Sequence, residues 1–217
     1  MKDVSLVKTL RAPTQGRSKA SYERMLSAAE ELLCREGSTD FTLKAVSEIG
    51  KVSIGSIYNR FESKDDLLHA VQLRVLQRVD DAMHERLSSV RADTHNLSLL
   101  IFGLVEALAE ALNEHRTVMR ALMMRATDDP LVAETGKASY LRVSNTIKTA
   151  MLDYTDQIKQ PDPDRAVDSS FRIIYSAIAR YLGLGSASTS EWEGDWDVLK
   201  HDISEMVAAF LTHAPVR

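Results

Sequence analysis

The sequence predicts an all-α protein of about nine helices, an N-terminal three-helix unit followed by a larger helical domain. Two observations carry that prediction. Only 9 Gly and 5 Pro interrupt 217 residues, while leucine, alanine and glutamate are plentiful. Apolar residues recur at spacings of three and four, and no stretch alternates apolar and polar residues well enough to make a strand. With 44% hydrophobic residues the chain can bury a sizeable core.

Met1 to Gly16 lacks periodicity and reads as a flexible arm (1–16), with Lys8 and Arg11 on it and Arg17 and Lys19 just after it. Helix one runs from about Ser18 to Arg35, with Tyr22, Met25, Ala29, Leu32 and Leu33 inward and Gly37 as its stop. Cys34, the only cysteine, reads as a small buried hydrophobe on the apolar face and excludes an internal disulfide framework. Helix two opens at Thr42, a good N-cap, and carries Leu43, Val46 and Ile49 before Gly50 and Lys51 break it. Val52 points back to the core. Ser53 caps helix three, which runs to about Phe61 with Ile57 and Phe61 on one face.

Helix four starts after Ser63, with Asp65 and Asp66 in its first turn, where they favour the dipole, and continues to about Val90. Arg91 to Asn96 reads as a turn. Helix five (about Leu97 to Asn113) is apolar on most sides and so central. Helix six (about Arg116 to Ala126) is rich in Met and Arg. Pro130 suits the first turn of helix seven, which runs to about Tyr154. Helix eight spans about Asp164 to Leu184, a Ser/Gly-rich loop follows to Gly194, and helix nine spans about Trp196 to Leu211.

The pair of short helices around Gly50 permits two readings. It can be an ordinary hairpin of an all-α core used for protein contacts, as in a ligand-binding or adaptor protein. It can also be a helix-turn-helix whose second helix enters the major groove of DNA. The charge pattern suits the second. Residues 1 to 64 hold 11 Lys and Arg against 8 Asp and Glu, an excess of three positive charges, and the remainder holds 16 against 23. Phosphate attraction is local, since screening acts beyond about 8–10 Å, so a net charge of −4 does not oppose binding at one end. An arm bearing Arg17 and Lys19 could reach phosphates or a minor groove.

The run Val46-Ser47-Glu48-Ile49-Gly50-Lys51-Val52-Ser53-Ile54-Gly55-Ser56-Ile57-Tyr58-Asn59-Arg60-Phe61, followed by Ser63-Lys64 and Leu67-Leu68, resembles the DNA-binding signature of TetR-type transcriptional repressors. The matched features are the Val-Ser turn, the Gly two after Ser53, and Tyr58, Phe61, Lys64 and Leu67 at successive threes. Upstream, Ala28, Leu32, Leu33, Gly37 and Thr42 fit that family's first helix and its exit. The resemblance covers roughly Lys19 to Leu76. One departure is Gly50-Lys51, where the family has Ala-Gly. Either Lys51 adopts a left-handed conformation, at roughly 1 kcal/mol, or Gly50 takes the strain.

The resemblance implies residues 17–64 as the DNA-binding domain and 65–217 as a ligand-binding and dimerisation domain. It places Ile54, Gly55, Ser56 and Asn59 toward base edges, and Thr42, Ser53, Tyr58 and Lys64 toward phosphates, with Arg60 as a further base or phosphate contact. It also implies a small-molecule pocket in the second domain, for which Phe102, Met119, Met123, Phe171 and Tyr175 are candidates, with His115 or Arg120 as polar handles. Helices eight and nine carry more apolar surface than one monomer face needs, from Ile173, Ala177 and Tyr181 to Leu199, Ile203, Val207, Phe210 and Leu211. That predicts a homodimer through these helices, which the resemblance also implies. The expected partners are then a double-stranded palindromic operator and a small-molecule effector.

Nothing in the pattern points to an enzyme or a cofactor. The pairs Asp65/His69, Asp80/His84 and Asp197/His201 are each four apart and read as helix-stabilising pairs rather than metal sites. No run of about 18 apolar residues spans a membrane and the N-terminus lacks a secretory core, so a cytoplasmic protein is expected.

Overall fold

A computed structural model describes residues 16–185 and 194–214, with the side chains of Arg17 and Asp93 outside the description. Residues 1–15 of the expected arm (1–16) and most of the Ser/Gly-rich loop lie outside the described residues, and Gly16 opens α1 instead of ending the arm. Within them the chain forms nine α-helices and no strand: α1 (Gly16–Glu36), α2 (Leu43–Gly50), α3 (Ile54–Tyr58), α4 (Lys64–Asp93), α5 (Leu97–Glu114), α6 (Arg116–Arg125), α7 (Pro130–Leu152), α8 (Pro163–Tyr181) and α9 (Trp196–Thr212). A 3₁₀ turn, Thr155–Gln157, follows α7. The chain divides into two compact units, residues 1–74 and 75–217.

In the first unit, short polar side chains start the helices. Thr42 Oγ1 accepts from Ala45 N at 3.2 Å and Ser53 Oγ from Ser56 N at 3.1 Å. Ser63 and Asp66 cap α4 reciprocally, Ser63 Oγ accepting from Asp66 N at 3.1 Å and Asp66 Oδ2 from Ser63 N at 3.0 Å. Met25, Ala29, Leu32, Leu33, Val46, Ile57, Phe61, Leu67 and Val71 are each fully buried. Cys34 departs from expectation and is exposed. Each helical residue turns about 100°, so with Leu32 and Leu33 inward the next position swings outward.

α3 is shorter than its Ile57/Phe61 spacing suggests. After Tyr58 the chain tightens, Arg60 N donating to Ile57 O at 2.9 Å, and Phe61 reaches the core without further helix.

In the second unit, α5 is central, with Leu97, Leu100, Ile101, Leu104, Val105, Leu108 and Leu112 buried, and it packs chiefly on α9. Aspartates and prolines begin the later helices: Asp129 caps α7 ahead of Pro130, and Asp162 caps α8 ahead of Pro163. α8 ends at Tyr181 rather than Leu184, because Gly183 turns to φ +64°. On α8 and α9, Phe171, Ile174, Ile178, Ile203, Val207 and Leu211 are buried, whereas Ile173, Val198, Met206 and Phe210 are exposed. Two of the three expected Asp/His pairs take other partners. Asp80 accepts from Arg142 at 3.0 Å and Asp197 pairs with Lys200 at 3.0 Å, while His201 lies 3.4 Å from Glu205.

Candidate nucleic-acid interface

The turn between α2 and α3 resolves the choice that Gly50-Lys51 posed. Lys51 sits at φ 49°, ψ 48°, the one described non-glycine residue in the left-handed region. Gly50 serves contact instead. A Cβ there would stand 3.1 Å from Arg24 O and 3.3 Å from Ala28 Cβ, so its absence lets α2 close on α1. Arg24 Nε donates to Gly50 O at 3.2 Å, and Ser47 Oγ donates to Val52 O at 2.6 Å. The orientation of α3 is therefore fixed from both sides of the turn.

A five-residue helix has almost no stability of its own, and α3 is held by Ile57 and Phe61 beneath it. Its other positions face outward. Tyr58 is 59% exposed and Ile54 42%, four residues apart on the same side, and Ser53, Gly55 and Asn59 are exposed beside them. A Cβ on Gly55 would meet nothing within 4 Å. Ser56 is half-buried, and its hydroxyl lies 2.7 Å from that of Ser53, so it is engaged at the helix cap. Thr42 and Lys19 are exposed, while Arg17 lies in the first turn of α1.

Two cations of the expected interface are tied inward. Lys64 Nζ donates to Thr39 O at 2.8 Å and lies 5.6 Å from the Phe41 ring, closing the α1–α2 connection. Arg60 reaches Ser18 at the start of α1. Arg74, not singled out from sequence, bridges Glu23, Ser27 and Glu30 on α1, at 2.6 Å to Glu30. Burial pushes the Tyr22 phenol above its usual range, with Glu23 adding to the rise and Arg74 and Arg60 opposing it.

The candidate effector residues, all in the second unit, fall into separate places. Phe171 is buried against Tyr140, ring centres 5.5 Å apart, and against Tyr175 at 5.9 Å. Tyr140 and Tyr175 meet edge-on at 4.8 Å, and burial raises the Tyr175 phenol. Met119 is buried and Met123 half-buried on α6. Arg120 donates twice to Leu182 O, at 2.9 and 2.6 Å, capping the end of α8. His115 is half-buried at the α5–α6 junction. Phe102 sits apart, its ring 5.4 Å from that of His201, in a cleft of about 240 Å³ also lined by Glu106, Asp197, Lys200 and Ser204.

Lys200 went unnoticed in the sequence because two of its three partners, Glu106 and Glu110, are far along the chain. Its Nζ lies 2.7 Å from Glu110, 2.9 Å from Glu106 and 3.0 Å from Asp197. Burial alone would lower the ammonium, but hydrogen bonds to the three carboxylates outweigh it and hold Lys200 above the usual lysine range. Burial likewise favours a raised Glu110 carboxyl, yet hydrogen bonds from Lys200 and Trp196 leave it below its ordinary value. Among the described residues no group of three His, Cys, Asp or Glu could hold a metal, and no helix is long and apolar enough to cross a membrane.

Residues 25–71 match the family model for bacterial regulatory proteins of the tetR family. That segment contains the whole turn, α3 and the start of α4. Over those residues the chain is similar to the tetR family. Over 156 residues it is 23% identical to the HTH-type transcriptional regulator UidR of Escherichia coli K12, covering 71% of this chain and 77% of that protein. Two solved structures share the fold. One is a TetR-family regulator from Mesorhizobium loti, described as putative (TM-score 0.74, 16% identity, 90% of this chain and 97% of that chain). The other is Salmonella enterica GusR (TM-score 0.65, 18% identity, 92% and 99%).

Proposed function

We propose that the protein is a homodimeric, sequence-specific repressor that a small molecule releases from its operator. The observation that carries this is the outward face of α3. Ile54, Gly55, Tyr58 and Asn59 are exposed on a helix that Ile57 and Phe61 anchor rigidly below. In this reading Asn59 pairs with an adenine edge, Ile54 packs on a thymine methyl, Gly55 admits close approach of the backbone, and Ser56 adds a polar contact. Arg17, Lys19, Thr42, Ser53 and Tyr58 meet phosphates and set the register.

The exposed apolar residues Ile173, Val198, Met206 and Phe210 on α8 and α9 support a dimer through these helices. Two copies of α3 then engage half-sites about 34–36 Å apart on a two-fold symmetric operator in the cytoplasm. The aromatic cluster of Tyr140, Phe171 and Tyr175, with Met119 and Met123, Arg120 and His115, supports an effector site in residues 75–217. An effector acts only by its different affinity for DNA-competent and released states, so effector and operator must weaken each other's binding by the same factor.

Selection of duplexes from a random pool, followed by sequencing, tests the reading. Two-fold symmetric sites are expected, and Tyr58→Ala should weaken binding to every sequence alike. Recovery of no symmetric site, together with binding that ignores salt, would refute it.

A further inference from the structure

Arg60 stands at the exit of α3, yet its side chain does not join the outward face. Its Nη2 donates to the Ser18 carbonyl at 3.2 Å and also to Ser18 Oγ. Its guanidinium carbon lies 5.7 Å from the centre of the Tyr22 ring, which stacks at 5.8 Å on the buried Phe61. One residue thus links the end of the reading helix to the first turn of α1 through two hydrogen bonds from one nitrogen and a cation–π contact to a ring that itself stacks on Phe61. In sequence, Ser18 lies between Arg17 and Lys19. Both acceptors are neutral, so the tie uses the geometry of the guanidinium and leaves its charge uncompensated.

We propose that Arg60 is a positioning residue for DNA binding. It fixes the N-terminal turn of α1, and with it Arg17 and Lys19, beside the C-terminal end of α3, so that the basic flank and the reading helix engage one duplex as a unit. The inference rests on the reading of α3 as the DNA-facing helix. It assigns Arg60 a role other than reading a base or holding a phosphate itself.

A double-mutant cycle in the full-length protein tests it, using a duplex selected by the intact protein at fixed ionic strength. The variants are Arg60→Ala, the pair Arg17→Ala with Lys19→Ala, and all three together. Arg60→Ala and the basic pair should each weaken binding about tenfold, and the triple variant little more than either, as for residues acting as one unit. Once Arg17 and Lys19 are gone, Arg60→Ala should leave the slope of log K against log salt unchanged, whereas a lost phosphate contact would reduce it by about 0.9. Arg60→Lys should not restore affinity, since an ammonium that donates to Ser18 leaves no second cationic atom to sit over the Tyr22 ring.

Multiplicative effects of Arg60 and the basic pair, or full rescue by lysine, overturn the inference. Should Arg60→Ala fail to fold, Arg60→Met, which keeps the apolar stem over Tyr22, runs the same cycle. A Tyr58→Ala control separates the two claims. If it binds as well as the parent, the DNA-facing reading of α3 falls, and this inference with it. If it weakens binding while Arg60 and the pair stay multiplicative, the inference falls alone.

Discussion

One added methyl group, Gly55→Ala, should move folding stability and DNA affinity in opposite directions. Gly55 is exposed, its backbone lies outside the left-handed region, and a Cβ placed on it touches nothing within 4 Å. In the protein alone the methyl meets no clash. Replacing glycine by alanine at a compatible helical position stabilises by about 0.4–1 kcal/mol, mainly by restricting the unfolded chain. A site near the start of a five-residue helix belongs at the lower end, about 0.5 kcal/mol. Against DNA the same methyl occupies the surface where the backbone is proposed to approach a base or sugar. Forcing a methyl into a well-packed contact costs about 1–3 kcal/mol, which is about 5- to 150-fold in Kd.

Urea unfolding followed by circular dichroism reads the first effect, and fluorescence-anisotropy titration of a selected duplex reads the second. A variant that is more stable and binds as tightly as the parent refutes the close approach at Gly55. A variant that is less stable refutes the claim that this backbone suits any residue.

Four further outcomes follow from particular contacts. Asn59→Ala should relax preference at a single base position by about 1–3 kcal/mol, measured by repeating the selection, and equal loss at every position would overturn its assignment. Lys51→Gly should stabilise by about 1 kcal/mol in urea melts, because it relieves the left-handed φ of 49°. Gly103→Ala drives a Cβ to 2.4 Å from Val90 Cγ1, so it should destabilise by about 1–3 kcal/mol, and adding Val90→Ala should recover much of that loss. Lys200→Met should cost about 2 kcal/mol, because it leaves the half-buried Glu110 without its cation. With Glu110 held below its ordinary 4.5, its contribution is complete above that pH and disappears as the pH falls through the lowered value. With Lys200 held above its ordinary 10.5, its contribution is complete below that pH and is lost only as the pH rises past the raised value. The variant should therefore show a flatter acid limb in a stability–pH titration.

What the sequence made legible was local. Thr42, Ser53 and Ser63 were readable as helix starts because a capping side chain bonds backbone three residues away, and Pro130 because its fixed φ suits the first turn. The outward positions of α3 followed from two buried anchors and the helical repeat. The end of α3 was not legible, since Phe61 keeps helical spacing from Ile57 although the intervening backbone has already tightened. Cys34 was misplaced because its position borders a stripe whose width depends on what packs against it. The Lys200 cluster was invisible, its Glu110 partner lying 90 residues earlier on another helix.

The same locality explains why the basic residues of the first unit could be counted but not assigned. Arg24, Arg60 and Lys64 all contribute to its positive excess, yet each donates to a backbone carbonyl 25 to 42 residues away. Arg24 grips the turn before α3, Arg60 ties the exit of α3 to α1, and Lys64 closes the connection that leads into α2. A helix of five residues cannot hold its own geometry, so these cations supply rigidity, although the sequence places two of them, Arg60 and Lys64, among the DNA contacts. Loss of any one should then lower both thermal stability and affinity, whereas loss of the exposed Lys19 should lower affinity and the salt slope alone.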